Sequence, residues 1–215
     1  MSVLPLVFTS GWAGGINAYA VVLLFGVVGA TGLSDEVPEA PQRTDVLVAA
    51  GVLFPCEAVA DKIPFVDSIW DSCTPWSGTV MAALPPGGSG SLPEFPGGAV
   101  GGSTALLSHL VKAGTRMATN TSPEPFSNVG MSLAEDLGVA GIITFAVLHP
   151  VAAAVVAGTL LVLGIATVAF LATRIRRFLR RRAQRSKERR RRKRLTATGV
   201  VHRPQATGVN VGGGR

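Results

Sequence analysis

Two stretches of this 215-residue chain carry no charged residue at all, Met1 to Ser34 and Leu137 to Thr173. A bilayer core about 30 Å thick is crossed by roughly 20 apolar residues in a helix that rises 1.5 Å per residue. Both stretches exceed that length and are too long for the core of a soluble domain. As one helix the second would extend roughly 55 Å, so it should fold back once. His149-Pro150 is the natural turn. The expectation is an all-α chain, a polytopic bundle of transmembrane helices.

The net charge of +7 and a pI near 10.4 would suggest nucleic acid as a partner, but the charge is divided by position. Residues 174–215 hold 16 of the 20 Lys and Arg and one acid, Glu188. Residues 1–173 hold four basic residues (Arg43, Lys62, Lys112, Arg116) and twelve acids. An apolar, mildly acidic body thus precedes a polycationic tail. No basic n-region opens the chain and the first apolar run outlasts an h-region, so it reads as a retained helix rather than a cleaved signal. Cys56 and Cys73 lack metal-ligand spacing and read as packed, reduced thiols.

Six hydrophobic segments follow from the pattern: Leu4 to Thr31, Val46 to Ile63, Ser68 to just before Pro85-Pro86, Gly98 to Thr119, Leu133 to Leu148, and Val151 to Leu171. The domains expected are a helical membrane body over 1–173, a basic amphipathic helix over 174–195 and a disordered end over 196–215. The tail cannot cross a bilayer cheaply, which places it, and through an even number of spans the N-terminus, in the cytoplasm of an inner (plasma) membrane. Lys62, Lys112 and Arg116 then fall near cytoplasmic ends.

A faint repeat pairs Pro64-Phe65-Val66-Asp67 with Pro125-Phe126-Ser127-Asn128. Each is followed by a possible capping box, Ser68 with Asp71 and Ser132 with Glu135, in which Ser and acid satisfy free amides at a helix start. Each then runs through an apolar helix to Pro85 or Pro150. Two parallel helix-pair repeats would put both loops on the cytoplasmic face.

Ionisable residues inside spans cost roughly 2.5–3.5 kcal/mol on translocon scales and demand partners or water. Glu57 and Asp61 lie four apart on the second segment, as do Lys112 and Arg116 on the fourth, with His109 one turn earlier. The expected pairs are Glu57 with Lys112 and Asp61 with Arg116. They serve either as a clamp between repeats or as a polar site where His109, Lys112 and Arg116 meet an anion or relay protons. Gly11 and Gly15, Gly98 and Gly102, and Gly138 and Gly141 read first as close packing. Gly14-Gly15-Ile16-Asn17 also admits a helix break that brings Asn17 into a polar interior.

The loops offer further groups. Asp61, Asp67 and Asp71, with Glu135 and Asp136, could hold a divalent ion through hard oxygens, but their spacing completes no metal motif, and capping and pairing with Lys62 explain them better. No cofactor or metal is called for, and no nucleophile has a positioned base: Ser108 and His109 are neighbours in sequence, not on one helix face. Asn120-Thr121-Ser122 matches a glycosylation sequon but falls on the cytoplasmic side. In the tail, Ile175, Phe178 and Leu179 form an apolar stripe among Arg174, Arg176, Arg177, Arg180, Arg181 and Arg182, which suits anionic lipid head groups. Nucleic acid is disfavoured because no aromatic residues interleave the charges.

Longer motifs complete the pattern: Gly14-Gly-Ile-Asn-Ala-Tyr19, Glu57-Ala-Val-Ala-Asp61-Lys-Ile-Pro-Phe-Val-Asp67-Ser-Ile-Trp-Asp71, Ser108-His-Leu-Val-Lys112-Ala-Gly-Thr-Arg116, Asn120 to Asn128, and Ser132-Leu-Ala-Glu-Asp136. Over residues 5–170 they resemble the bacterial integral-membrane family catalogued as domain of unknown function 4126. The resemblance implies a multi-pass membrane protein and carries no substrate, cofactor or catalytic residue. Three functions remain open. A transporter or channel for a small solute or ion would use a polar site between the repeats. A non-catalytic scaffold would bind anionic lipid or a partner through its tail. The least favoured is a metal-dependent enzyme acting on lipid head groups.

Overall fold

A computed structural model of the chain describes residues 4–33, 40–63, 66, 69, 94–119 and 125–197. Among these residues every regular element is helical: α1 (Leu4–Ile16), α2 (Ala18–Thr31), a 3-10 turn (Ala40–Gln42), α3 (Thr44–Ala60), α4 (Glu94–Thr119), α5 (Pro125–Leu148) and α6 (Pro150–Ala197). Two of them are long and apolar enough to cross a bilayer, Val129–Leu148 and Pro150–Arg185. The third hydrophobic segment apart from Ile69, the first copy of the repeat apart from Val66, and Asp67, Asp71 and Cys73 lie outside the described residues.

The chain divides into a first unit, Met1–Ala169, and a second, Phe170–Arg215. The core of the first is apolar and drawn from four helices: Leu6, Trp12 and Ala13 of α1, Val21 and Phe25 of α2, Val139, Ile143 and Ala146 of α5, Ala153, Ala157 and Leu161 of α6. α1 packs most extensively on α4. Gly11 lies against the carbonyl of Gly101, and Gly15 against Ser108 Oγ and the carbonyl of Ala105, so a side chain at either position would meet backbone. The order of these contacts makes α1 and α4 parallel. Small residues set that approach, as expected for helices that associate by close packing. Gly138 and Gly141 depart from the expectation: a Cβ at either would meet nothing within 4 Å among the described residues.

α2 ends on Gly32, whose φ of 65° is the left-handed conformation of a helix C-cap. Its amide bonds Gly29 O, and the amide of Leu33 bonds Val28 O, closing the last turn. The chain then returns through the 3-10 turn into α3, with Gly26 against Leu47 and Gly29 against Gln42. At the other end of the unit, α5 and α6 meet at the single non-helical residue His149. Asp136 of α5 contacts Asn17 and Gly158 of α6 faces Phe8. A straight helix would hold residues 136 and 158 roughly 33 Å apart, whereas Phe8 and Asn17 are roughly 14 Å apart along α1. The chain therefore reverses at His149-Pro150.

Two expectations are corrected. The fifth segment is not a short helix opened by Ser132. α5 begins at Pro125, where proline's missing amide costs nothing, so Ser132 lies inside the helix and caps nothing. Cys56 is not packed but exposed on α3. In the second unit the helix continues through the basic run, with Ile175, Phe178 and Leu179 all exposed and the Arg174 guanidinium 5.3 Å from the centre of the Phe170 ring.

Candidate functional site: a buried ion-paired centre at a helix break

The centre begins with a local competition at Asn17. In an uninterrupted helix the amide of Ala20 would bond the carbonyl of Ile16. Asn17 is instead extended (φ −148°, ψ 96°), and its side-chain Oδ1 takes the Ala20 amide at 2.9 Å. Asparagine is a strong N-cap because its short amide competes with the backbone in this way. The break leaves the Ile16 carbonyl at the C-terminal end of α1 without its helical donor. Lys112 of α4 supplies one, with Nζ 2.8 Å from Ile16 O. Asn17 Nδ2 donates in turn to Asp136 Oδ1 at 3.0 Å, joining α5 to the same point.

The charged pairs converge here. Lys112 Nζ lies 3.2 Å from Glu57 Oε1 and 3.3 Å from Asp61 Oδ2. Arg116 Nη2 lies 2.8 Å from Asp61 Oδ2 and 2.6 Å from Glu135 Oε2, while Nη1 donates to the carbonyl of Asp61 at 3.0 Å. Glu57 meets Lys112 and Asp61 meets Arg116, as their spacing implied. Asp61 is also shared by both bases. It sits at the C-cap of α3, so Arg116 meets a helix end whose free carbonyls favour a cation.

Burial makes this arrangement consequential. The Arg116 side chain is 1 % exposed, those of Lys112 and Asp61 3 % and that of Glu57 6 %, whereas Glu135 retains 16 %. Away from water such charges persist only when paired and hydrogen-bonded. Asp61 Oδ1 and Ser132 Oγ are buried with no hydrogen-bond partner among the described residues.

Of the other residues singled out by sequence, His109 is half-buried on α4 one turn before Lys112, and Asn128 falls within α5. Arg174, Arg176, Arg177, Arg180, Arg181 and Arg182 are exposed on the helix of the second unit. Glu135 belongs to the ion-paired centre rather than to a cap, and Asp136 joins it through a hydrogen bond from Asn17. The roles of Ile16 O and Ser132 were not foreseen, since a backbone carbonyl carries no sequence signal and Ser132 read as a cap. Among the described residues no three His, Cys, Asp or Glu are placed to hold a metal ion.

These features define an all-helical protein with bilayer-length apolar helices and a buried network of carboxylates and bases at a helix break. The family described as domain of unknown function DUF4126 matches residues 4–169, and the chain belongs to it. No curated protein and no solved structure matches the chain.

Proposed function

We propose that the protein carries a small ion or solute across a membrane, with the ion-paired centre as its binding site. The observation that carries this reading is the interruption at Asn17. α1 and α2, of 13 and 14 residues, would each extend about 20 Å, short of the roughly 30 Å hydrocarbon core. Together they make one discontinuous span whose broken ends, a carbonyl bonded by Lys112 in place of its helical donor and a capped helix start, lie at the charged cluster. Secondary transporters build sites from such half-helices near the midplane.

Two further arguments support it. Large apolar side chains such as Val48, Val52, Val155, Val162 and Leu163 are exposed on the body, where lipid would cover them. Buried ion pairs are also poor stabilisers, because well-packed apolar residues in their place are often neutral or better. A five-residue charged network held in an apolar body is better explained by what it binds than by stability. The basic residues orient the proposed spans with both termini in the cytoplasm of the inner membrane.

The test is flux. Proteoliposomes of the purified chain should dissipate an imposed gradient of an inorganic cation, a proton or a small anion. The paired substitution Glu57→Met with Lys112→Met should abolish that flux in protein that still folds. Absence of flux for every species from the unaltered protein would sink the reading.

A second reading rests on a different observation, the exposed Ile175, Phe178 and Leu179 beside six arginines. A scaffold gripping anionic lipid through this helix, at about 1 kcal/mol per basic residue near the surface, would need no transport site. Deletion of residues 174–215 separates the two. Flux that survives the deletion favours the transporter, whereas a lost cellular phenotype with a tolerated Glu57→Met/Lys112→Met pair favours the scaffold.

A further inference from the structure

Among the described residues the charges of the centre do not balance. Three carboxylates, Glu57, Asp61 and Glu135, contact two bases, Lys112 and Arg116. Asp136, the next residue on α5, adds a fourth carboxylate held by the neutral amide of Asn17. Residues 1–173 contain only two other Lys or Arg, so their sequence limits any compensation. Both are exposed and engaged elsewhere, Arg43 on Asp45 and Lys62 on the carbonyl of Ala58.

We propose that this centre binds one further monovalent cation, at the carboxylate edge formed by Asp61 and Glu135. A second observation points to the same place. Asp61 is 2 % exposed, yet its Oδ1 has no hydrogen-bond partner among the described residues. Ser132, fully buried one turn before Glu135 on the same face of α5, has an equally unmatched hydroxyl. Buried polar oxygens are nearly always matched, and unmatched ones call for an ion, a proton or a water. Carboxylate and hydroxyl oxygens are hard donors that suit hard cations. The described residues offer no three-residue set for a divalent ion, and the ion-paired groups by themselves, three carboxylates to two bases with Asp136 apart on Asn17, leave one negative charge over, which asks for a single positive charge. Glu135 is the least buried member, which makes its side the route of entry.

The cation is an alkali ion or a proton, and the two share one requirement, a positive charge at this edge. The groups facing Glu135 are Arg116 and Lys112 from α4 and Asp61 from α3, with Asp136 beside it on α5. His109 is the other group on α4 that could supply a compensating charge. The inference names the cargo of the proposed transport site, but binding is measurable without flux.

The experiment uses the purified full chain in detergent at constant pH and ionic strength. Thermal unfolding is followed while sodium or potassium chloride replaces choline chloride, and the infrared carboxyl region is recorded at neutral pH. A saturable rise in Tm with sodium or potassium, lost in Glu135→Gln, supports an alkali ion. No alkali response, together with a carboxylic-acid carbonyl band that Glu135→Gln removes, supports a proton. Neither response, or an imidazolium at His109 in nitrogen NMR without either, overturns the proposal. Asp61 anchors Arg116 and its variants could fail to fold, so the partly exposed Glu135 carries the test. Cation binding without flux would count against the transport reading alone, and flux without cation binding against this inference alone.

Discussion

Lys112 donates to the main-chain carbonyl of Ile16 at 2.8 Å, a contact that exists because the helix breaks between α1 and α2 one residue later. A side chain that pairs with acids on α3 thereby also satisfies the frayed end of α1. Helix geometry and charge pairing are one device here, and each can be tested through the other.

Asn17→Ala should let the Ala20 amide return to Ile16 O and push Lys112 off that carbonyl. Loss of the cap and of the bond to Asp136 should cost about 1–3 kcal/mol, read as a lower Tm in detergent. Asn17→Asp keeps the capping oxygen but places a second carboxylate against Asp136, and it should be destabilised as well.

Lys112→Met alone leaves Glu57 buried without its ammonium and should cost about 3–5 kcal/mol. The same change combined with Glu57→Met should recover most of that loss. A double-mutant cycle on chemical or thermal unfolding measures the coupling. A pair no more stable than the single variants would show that Glu57 and Lys112 are not directly coupled.

Arg116→Lys retains the charge but not the fork that spans Asp61 O, Asp61 Oδ2 and Glu135 Oε2. A single ammonium reaches fewer of these acceptors, so the variant should lose about 1–3 kcal/mol by thermal unfolding.

Gly15→Ala should be severely destabilised, because its Cβ would overlap Ser108 Oγ and the carbonyl of Ala105. Gly138→Ala on α5 meets nothing within 4 Å among the described residues and should gain up to about 1 kcal/mol from helix propensity. Comparing the two Tm values separates a packing glycine from an incidental one.

How much of this was legible follows from the physics of each signal. The acid pair and the base pair declared themselves because charge in an apolar helix is rare and i, i+4 spacing puts both members on one face. The turn at His149-Pro150 was legible from length alone. The break at Asn17 was only one of two readings, since Gly-Gly-Ile-Asn suits close packing as well as a cap. The join between Arg116 and Glu135 was hidden because Ser132-x-x-Glu135 also spells a capping box. Only the position of Pro125 moves the helix start back and turns that motif inward. The six-span count rests on segments that include one outside the described residues.

Arg43 and Asp45 offer a control on the surface. Arg43 donates Nε and Nη2 to the two carboxylate oxygens at 3.1 and 2.8 Å. That hydrogen bonding holds the Asp45 carboxyl below its ordinary 3.8. The folded value lies below the unfolded one, so the pair's small contribution is present above pH 3.8 and lost as pH falls through the folded value. Carbon NMR of the carboxyl should show the lowered midpoint, and Arg43→Ala should return it to the ordinary range.

The most direct measurement is the transient current produced when a proton, sodium or potassium jump is applied to the reconstituted chain on a solid-supported membrane. Charge displacement in the unaltered protein, abolished by Glu135→Gln at equal protein density, is the result expected if the centre carries a cation. A silent membrane for all three ions, or a current that Glu135→Gln leaves unchanged, would contradict it.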